Sequence, residues 1–348
     1  MNKLPPRKLK RKLRDAIFFI NKNPLSKFLY NGEISKRANL NLNQIIPLSK
    51  HIQLFSPFTN EIHPANDWYG HAKVFKKYLN LDRNYQFKFI IEHGSYTTEQ
   101  ISEAELEQDL PSFITSNEYR VKIFKKISDS SFSIGPYIHY AQNIYSREKI
   151  DAEKKRLGKN ILIFPAHSLN FIIQDYDGKW FMNNVKKIAK DFQNIRICLY
   201  WADIQLGIHK YYENLGFECV SAGHILDPFF LPRLKTLIEI SDLTISNDVG
   251  THVGYCTYLN KKHIIFHKIP KIKTNKKWAE FTQEYWSSTP YQEILNEFSK
   301  TTNSITTKQR EISNKYYGGK NDIKNPTEFK KIVDLTEKTY QKLINYSF

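Results

Sequence analysis

The sequence predicts an α/β protein with two parallel-sheet domains facing a cleft, the first one reduced, followed by a helical tail. Three observations carry this. From Ile161 to Ile265 short apolar runs alternate with amphipathic stretches, five strands to four helices, the pattern of a doubly wound parallel sheet. A looser series of apolar runs, Phe87–Ile91, Ser112–Thr115 and Ser131–Gly135, precedes it. After His267 the periodicity becomes helical throughout.

Each element can be justified in order. Residues 1–24 form a basic segment: Lys3, Arg7, Lys8, Lys10, Arg11, Lys12 and Arg14 come before the first acid, Asp15. From Leu9 the apolar positions Leu9, Leu13, Ala16, Ile17 and Ile20 share one helical face. Such a helix suits an anionic membrane surface, where each basic residue contributes about 1 kcal/mol. A solvated helix packed on the body fits the same pattern. Residues 25–145 read as the first domain. In it, IIPLSKHIQLF suggests one or two short strands and Asp67–Leu79 a helix with Trp68, Ala72, Phe75 and Leu79 inward. Glu99–Asp109 reads as an acidic surface segment, and a helix capped by Ser116 or Asn117 follows the Ser112–Thr115 strand. Tyr140–Lys159 is polar and charged and reads as a linker.

Residues 160–268 read as the second domain. Strand Ile161–Phe164 is followed by a helix around Trp180–Phe192, strand Ile195–Tyr200, and a helix over Ile204–Leu215 stopped by Gly216. Strand Phe217–Val220 and helix Pro228–Ile240 lead to strand Leu243–Ser246, a small-residue helix with Gly250 and Gly254, and strand His263–His267. The Gly250/Gly254 spacing predicts a smooth helix face laid against the sheet. Residues 269–348 form the tail, opening with a lysine-rich stretch at Lys268–Lys277.

Composition sets limits. The 348 residues are 41% hydrophobic and 14% aromatic, which supplies a sizeable core and excludes wholesale disorder. A formal net charge of +17 favours polyanions, anionic lipid headgroups or phosphorylated ligands without choosing among them. Cys198, Cys219 and Cys256 lie in or beside core elements with no CxxC, so reduced buried thiols in a cytoplasmic protein are expected. No apolar run approaches the roughly 18–20 residues that span a bilayer. The basic start lacks an apolar core and cleavage site, so no secretory signal is expected.

The chemistry gathers at strand carboxyl ends, where open α/β sheets bind ligands. In the first half these are Glu92, His93 and Gly94; in the second, His167 and Ser168, Asp203, His224, and Ser246 through His252. The turn Asn247-Asp248 and the helix start at Gly250, Thr251 and His252 could offer free N–H groups to a phosphate. A plain crossover with no ligand has the same pattern. HExxH, Walker A, GxGxxG and GxSxG are all missing, which removes support for zinc peptidases, P-loop NTPases, dinucleotide oxidoreductases and α/β-hydrolases. His263 and His267 would not converge on a metal from a strand. No helix-turn-helix, zinc-finger or RNP signature supports a nucleic-acid partner.

The stretch from NILIFPAHS through IRICLYWAD to SDLTISNDVGTHVGYCTYLNKKHIIF resembles the donor-binding domain of GT-B-type glycosyltransferases of bacterial surface-polysaccharide synthesis. FIIEHGSY, SFITSNEYR and SIGPYIHYA resemble their acceptor domain, and KLKRKLRDAIFFINKNP the membrane-proximal start of capsule and lipopolysaccharide transferases. The resemblance covers about 160–268 well and 85–140 more loosely. It implies two Rossmann-like domains in a GT-B-like arrangement. It further implies a metal-independent peripheral enzyme at the inner face of the cytoplasmic membrane, taking a nucleotide-sugar donor as substrate and no cofactor. Ser246, Asn247, Gly250 and Thr251 would hold the donor phosphate, with His252 and His224 beside them. His167 and Ser168 would reach the nucleotide or leaving group, and Glu92 or His93 would be the base on a glycan or lipid-linked acceptor. The paired glutamates of many retaining members are missing: Asp248 and Cys256 stand there. Three other functions stay open. Two are a polyol-phosphate transferase and a nucleotide-sugar epimerase on the same scaffold, and the third is a non-enzymatic polyanion-binding protein.

Overall fold

The structure is a computed structural model that describes residues 24–50, 61–94, 98–101, 110–168 and 173–346. The expected basic amphipathic helix therefore falls largely outside the described residues, as do much of the acidic 99–109 stretch and the second part of IIPLSKHIQLF.

Two parallel sheets form the frame. The smaller contains β1 (Ile90–Ile91), β2 (Phe113–Thr115) and β3 (Ser131–Ser133), in that order. Its registers pair Ile90 with Phe113 and Ile114 with Phe132. The larger contains β4 (Asn160–Phe164), β6 (Asn194–Cys198), β7 (Glu218–Val220), β8 (Leu243–Ser246) and β9 (Lys262–Ile265), ordered β7-β6-β4-β8-β9 and parallel throughout. The chain winds outward from β4 to β6 and β7, then returns to the other side for β8 and β9. Strand order therefore reverses between β4 and β8, and a crevice opens at their carboxyl ends. A short antiparallel ribbon pairs β5 (Ile173–Asp175) with β10 (Lys271–Lys273), an element the sequence pattern did not predict.

The helices are α1 (Pro24–Ala38), α2 (Ile45–Ser49), α3 (His71–Leu79), α4 (Glu118–Phe124), α5 (Arg147–Leu157), α6 (Gly178–Ile188), α7 (Trp201–Gln205), α8 (His209–Asn214), α9 (Phe230–Ile240), α10 (Thr251–Tyr258), α11 (Lys276–Ser287), α12 (Thr289–Phe298), α13 (Thr307–Tyr317) and α14 (Pro326–Tyr346).

Several expectations are corrected. The IIPLS run is helical, not a strand, because Pro47 has no N–H to give a sheet but is tolerated in a first helical turn. The expected linker contains α5, whose start is capped by Ser146 Oγ accepting from Lys149 N (3.3 Å) and whose Ile150 and Leu157 are buried. The single helix over 204–215 is two, broken at Gly207 with φ +79°. The smooth face at Gly254 lies not on the sheet but on α13: a Cβ there would sit 2.3 Å from Tyr317 Cβ.

The core is shared. Ile91 and Ile114 of the small sheet, Leu162, Phe164 and Val220 of the large one, and Phe329 of α14 belong to one buried cluster. The tail reinforces this. Phe329 packs on Phe75 and Tyr140, and Asn117 Nδ2 donates to Tyr316 O at 2.8 Å. The segment around α2 lies on the large unit: Ser221 N donates to Leu42 O and His224 N to Leu48 O, both at 2.9 Å.

Candidate functional site

The site is built at the β4/β8 crevice. Directly after these strands the chain carries Ala166-His167-Ser168 and Asn247-Asp248. Asn247 Oδ1 accepts from Ala166 N at 2.5 Å, so one side chain ties the two strand ends together. Ser168 is buried, and its N–H donates to Asp203 Oδ1 at 3.1 Å. Burial pushes the Asp203 carboxyl up to about 6.

Beyond Asn247 the backbone is extended at Gly250 (φ −166°) and turns into α10, whose start has no side-chain cap. The first helical turn carries Thr251 and His252 and no acid. The positive end of the helix dipole, with no side-chain cap on it, favours an anion here. The His252 ring folds back across Gly250, where a Cβ would meet its Cε1 at 2.8 Å. It stacks on Phe164 (5.1 Å) and meets His263 edge-on (5.3 Å). Burial, then the nearby His167, lowers its pKa to about 3. Its Nε2 is buried without a hydrogen-bond partner.

A wall of rings continues from there. His167 lies on Tyr200 (4.3 Å), Tyr200 meets Trp201 (5.7 Å), and Trp201 lies against His224 (4.3 Å). His167 is exposed at the wall, yet protein surrounds it on a wider radius, and that desolvation lowers its pKa. His224 ends the wall, two rings from His167. Its Nδ1 accepts from Leu226 N at 3.2 Å, closing its own turn.

The small sheet supplies the opposite face. A Cβ at Gly94, in the loop after β1, would lie 3.6 Å from Thr251 Oγ1, so the strand-end loops of the two sheets abut. His93 stands beside it, edge-on to Trp68 at 4.6 Å. Burial, then the neighbouring His63, lowers its pKa to about 4, so it is neutral at pH 7 and can accept a proton. Glu92 is in a different position. Its Oε1 accepts from Arg120 Nε at 2.6 Å, and both side chains are sealed from water. Arg120 also donates to Thr98 O (2.5 Å) and Gln100 O (3.0 Å), tying that stretch to α4.

The structure thus gathers His93, His167, Gly250, Thr251 and His252 about one cleft, with Ser168 and Asn247 beneath. Ser246 is fully enclosed: its Oγ donates to Asp248 O (2.7 Å) and contacts His263 Nε2 (3.0 Å), shaping the turn. Asp248 points away, accepting from Tyr291 OH (2.6 Å) and Val249 N (2.7 Å). Sequence reasoning missed Tyr69, Tyr200 and Trp201 as cleft residues and Arg120 as the partner of Glu92. YWAD directly after a strand was a usable signal for two of them. Among the described residues, no group of three or more His, Cys, Asp or Glu side chains is placed to hold a metal ion. Among them, too, no helix is long and apolar enough to cross a membrane.

No protein-family model matches the chain, and no curated protein matches its sequence. Among solved structures it is similar to the wall teichoic acid polymerase TagF, at 17% identity and a TM-score of 0.38, over 67% of this chain and 59% of that one. The chain thus spans less than two thirds of TagF. It is also similar to a UDP-GlcNAc 2-epimerase from Neisseria meningitidis bound to UDP-GlcNAc (15%, TM-score 0.33, 78% of this chain and 81% of that one). A third likeness is to MnaA of S. aureus with UDP (13%, TM-score 0.33, 93% of this chain and 83% of that one). At these scores the likeness assigns neither substrate nor reaction. The two-unit α/β architecture with its parallel sheets rests on the chain's own strand order and register.

Proposed function

We propose that this chain is a glycosyltransferase that moves a sugar from a nucleotide-sugar donor to a hydroxyl of a glycan or lipid-linked acceptor. One observation carries the reading. The uncapped start of α10, at the β4/β8 crevice, is met across the cleft by the Glu92-His93-Gly94 loop of the other sheet. One side presents the positive end of a helix to a phosphate; the other offers a neutral imidazole to a hydroxyl.

The roles follow from that geometry. The donor diphosphate lies over Gly250, Thr251 and His252, with His167 beside the leaving oxygen. His93 takes the proton of the acceptor hydroxyl as that oxygen bonds to the sugar's anomeric carbon. The bond from that carbon to the phosphate oxygen breaks, and the departing charge is held by groups already fixed in place. Glu92 acts through Arg120 by holding the loop. The chemistry needs no cofactor. The basic residues before Asp15 bring the enzyme to an anionic membrane face that carries its acceptor, as in capsule or lipopolysaccharide assembly.

The test is product analysis with a nucleotide-sugar panel and membrane-derived acceptor. The wild type should form a glycosylated acceptor, and His93→Ala should lose transfer while keeping donor binding. Transfer retained in His93→Ala overturns the base assignment. A changed nucleotide sugar formed without acceptor, or a polyol-phosphate product, overturns the reaction.

A further inference from the structure

The chain reaches the cleft a third time, through a segment that belongs to neither strand-end loop. Residues Pro64–Gly70 form a short 3-10 turn ahead of α3, and its end is kinked. Trp68 is extended (φ −60°, ψ 141°), Tyr69 is left-handed (φ 56°, ψ 12°) and Gly70 is left-handed as well (φ 74°, ψ 16°). Left-handed backbone is natural for Gly70 but costs a tyrosine, and such strain persists only where the surroundings hold it.

The surroundings do hold it, from both units. Upstream, Asn66 is buried against the edge of β1, donating from Nδ2 to Phe89 O (2.8 Å) and accepting at Oδ1 from Ile91 N (2.7 Å). Downstream, Tyr69 N donates to Ile225 O at 2.6 Å, and the Tyr69 ring meets Phe230 at 4.8 Å. Gly70 is pressed on Pro228, whose carbonyl oxygen would lie 2.6 Å from a Cβ. The kink splays two consecutive rings to opposite walls. Trp68 meets His93 at 4.6 Å, while the Tyr69 side chain interacts with that of Tyr200, the ring beneath His167.

We propose that the Trp68-Tyr69-Gly70 kink is a strut between the two units, and that Tyr69 is the positioning residue that sets the separation of His93 from His167. A straight helical entry would not aim these two consecutive rings at opposite walls, and the walls would then be joined through the shared core, the tail and the strand-end loops without this brace. The strained backbone is the means by which one dipeptide braces both. Its role in transfer rests on the transferase reading; its mechanical role does not.

The test is a distance measurement on the full chain. All three native cysteines are buried, so spin labels attach to introduced thiols. Lys122→Cys on α4 and Lys187→Cys on α6 are exposed positions on the two units. In the Tyr69 background the label–label distance should be narrow and single. Tyr69→Gly keeps the left-handed backbone without strain, so the protein stays folded, but it removes both ring contacts; the distance should broaden or shift. Tyr69→Phe keeps the Phe230 contact and should give an intermediate broadening. An unchanged distance in Tyr69→Gly overturns the strut whatever the enzyme's chemistry. A changed distance with no nucleotide bound by the wild type overturns the transferase reading and leaves the strut standing.

Discussion

Glu92 and Arg120 are both sealed from water, so each ion depends on the other. Glu92→Ala would leave a buried guanidinium uncompensated, and urea unfolding should show a loss of about 3–5 kcal/mol. His93→Ala removes no such partner and should cost much less. This separates a loop-holding residue from a proton acceptor among two neighbours that the sequence offered as equals. Asp203 gives a pH test. Its folded carboxyl keeps its proton up to about pH 6 against an ordinary 3.8. Its contribution is therefore full below the unfolded value and lost as pH rises through about 6, a swing of about 3 kcal/mol. Asp203→Asn still accepts from Ser168 N, so it should lose less stability than the wild type between pH 4.5 and pH 7 in paired urea titrations. His93 and His252 run the other way. Their lowered values mean that stability is lost as pH falls below the ordinary histidine range. Placement at the strand ends was legible where a polar group directly follows an apolar strand, as with His93, His167 and Asn247. Arg120 was not: its inward place on α4 is set by tertiary packing. The enclosure of Ser246 was not legible either, because a serine after a strand looks the same whether it faces a ligand or its own turn.

At the level of elements, α10 and α13 meet where only a missing side chain lets them. Gly254→Ala would place a Cβ 2.3 Å from Tyr317 Cβ, and neither helix can yield locally. Overpacking of this kind costs about 1–3 kcal/mol, and the thermal midpoint should fall accordingly. Asn117 caps α4 by accepting from Arg120 N (2.9 Å) and also donates to Tyr316 O in the tail. Asn117→Ala should therefore cost more than the ~1 kcal/mol of an ordinary cap. The strands of the large sheet were readable because each is a short apolar run closed by polar residues. What failed were the places where local pattern and tertiary demand diverge. Pro47 turns an apolar run into a helix. The polar surface of α5 hid its two buried anchors, Ile150 and Leu157. The kink at Tyr69–Gly70 broke a helix that periodicity alone would have continued.

At the scale of the molecule, the described residues of the two sheets share a core and a tail yet meet polar at their strand ends, where the start of α10, neutral imidazoles and a ring wall come together. The central claim is that this seam takes a nucleotide at the start of α10. The direct measurement is a thermal-shift titration of the full chain with UDP, CMP, CDP, GDP and their sugars, repeated on Gly250→Ala, where the added Cβ displaces the His252 ring. One nucleotide should stabilise the wild type by about 2.7 kcal/mol at 100-fold its dissociation constant, and the variant should lose that gain. No stabilisation by any of them, or equal stabilisation of Gly250→Ala, would contradict the account.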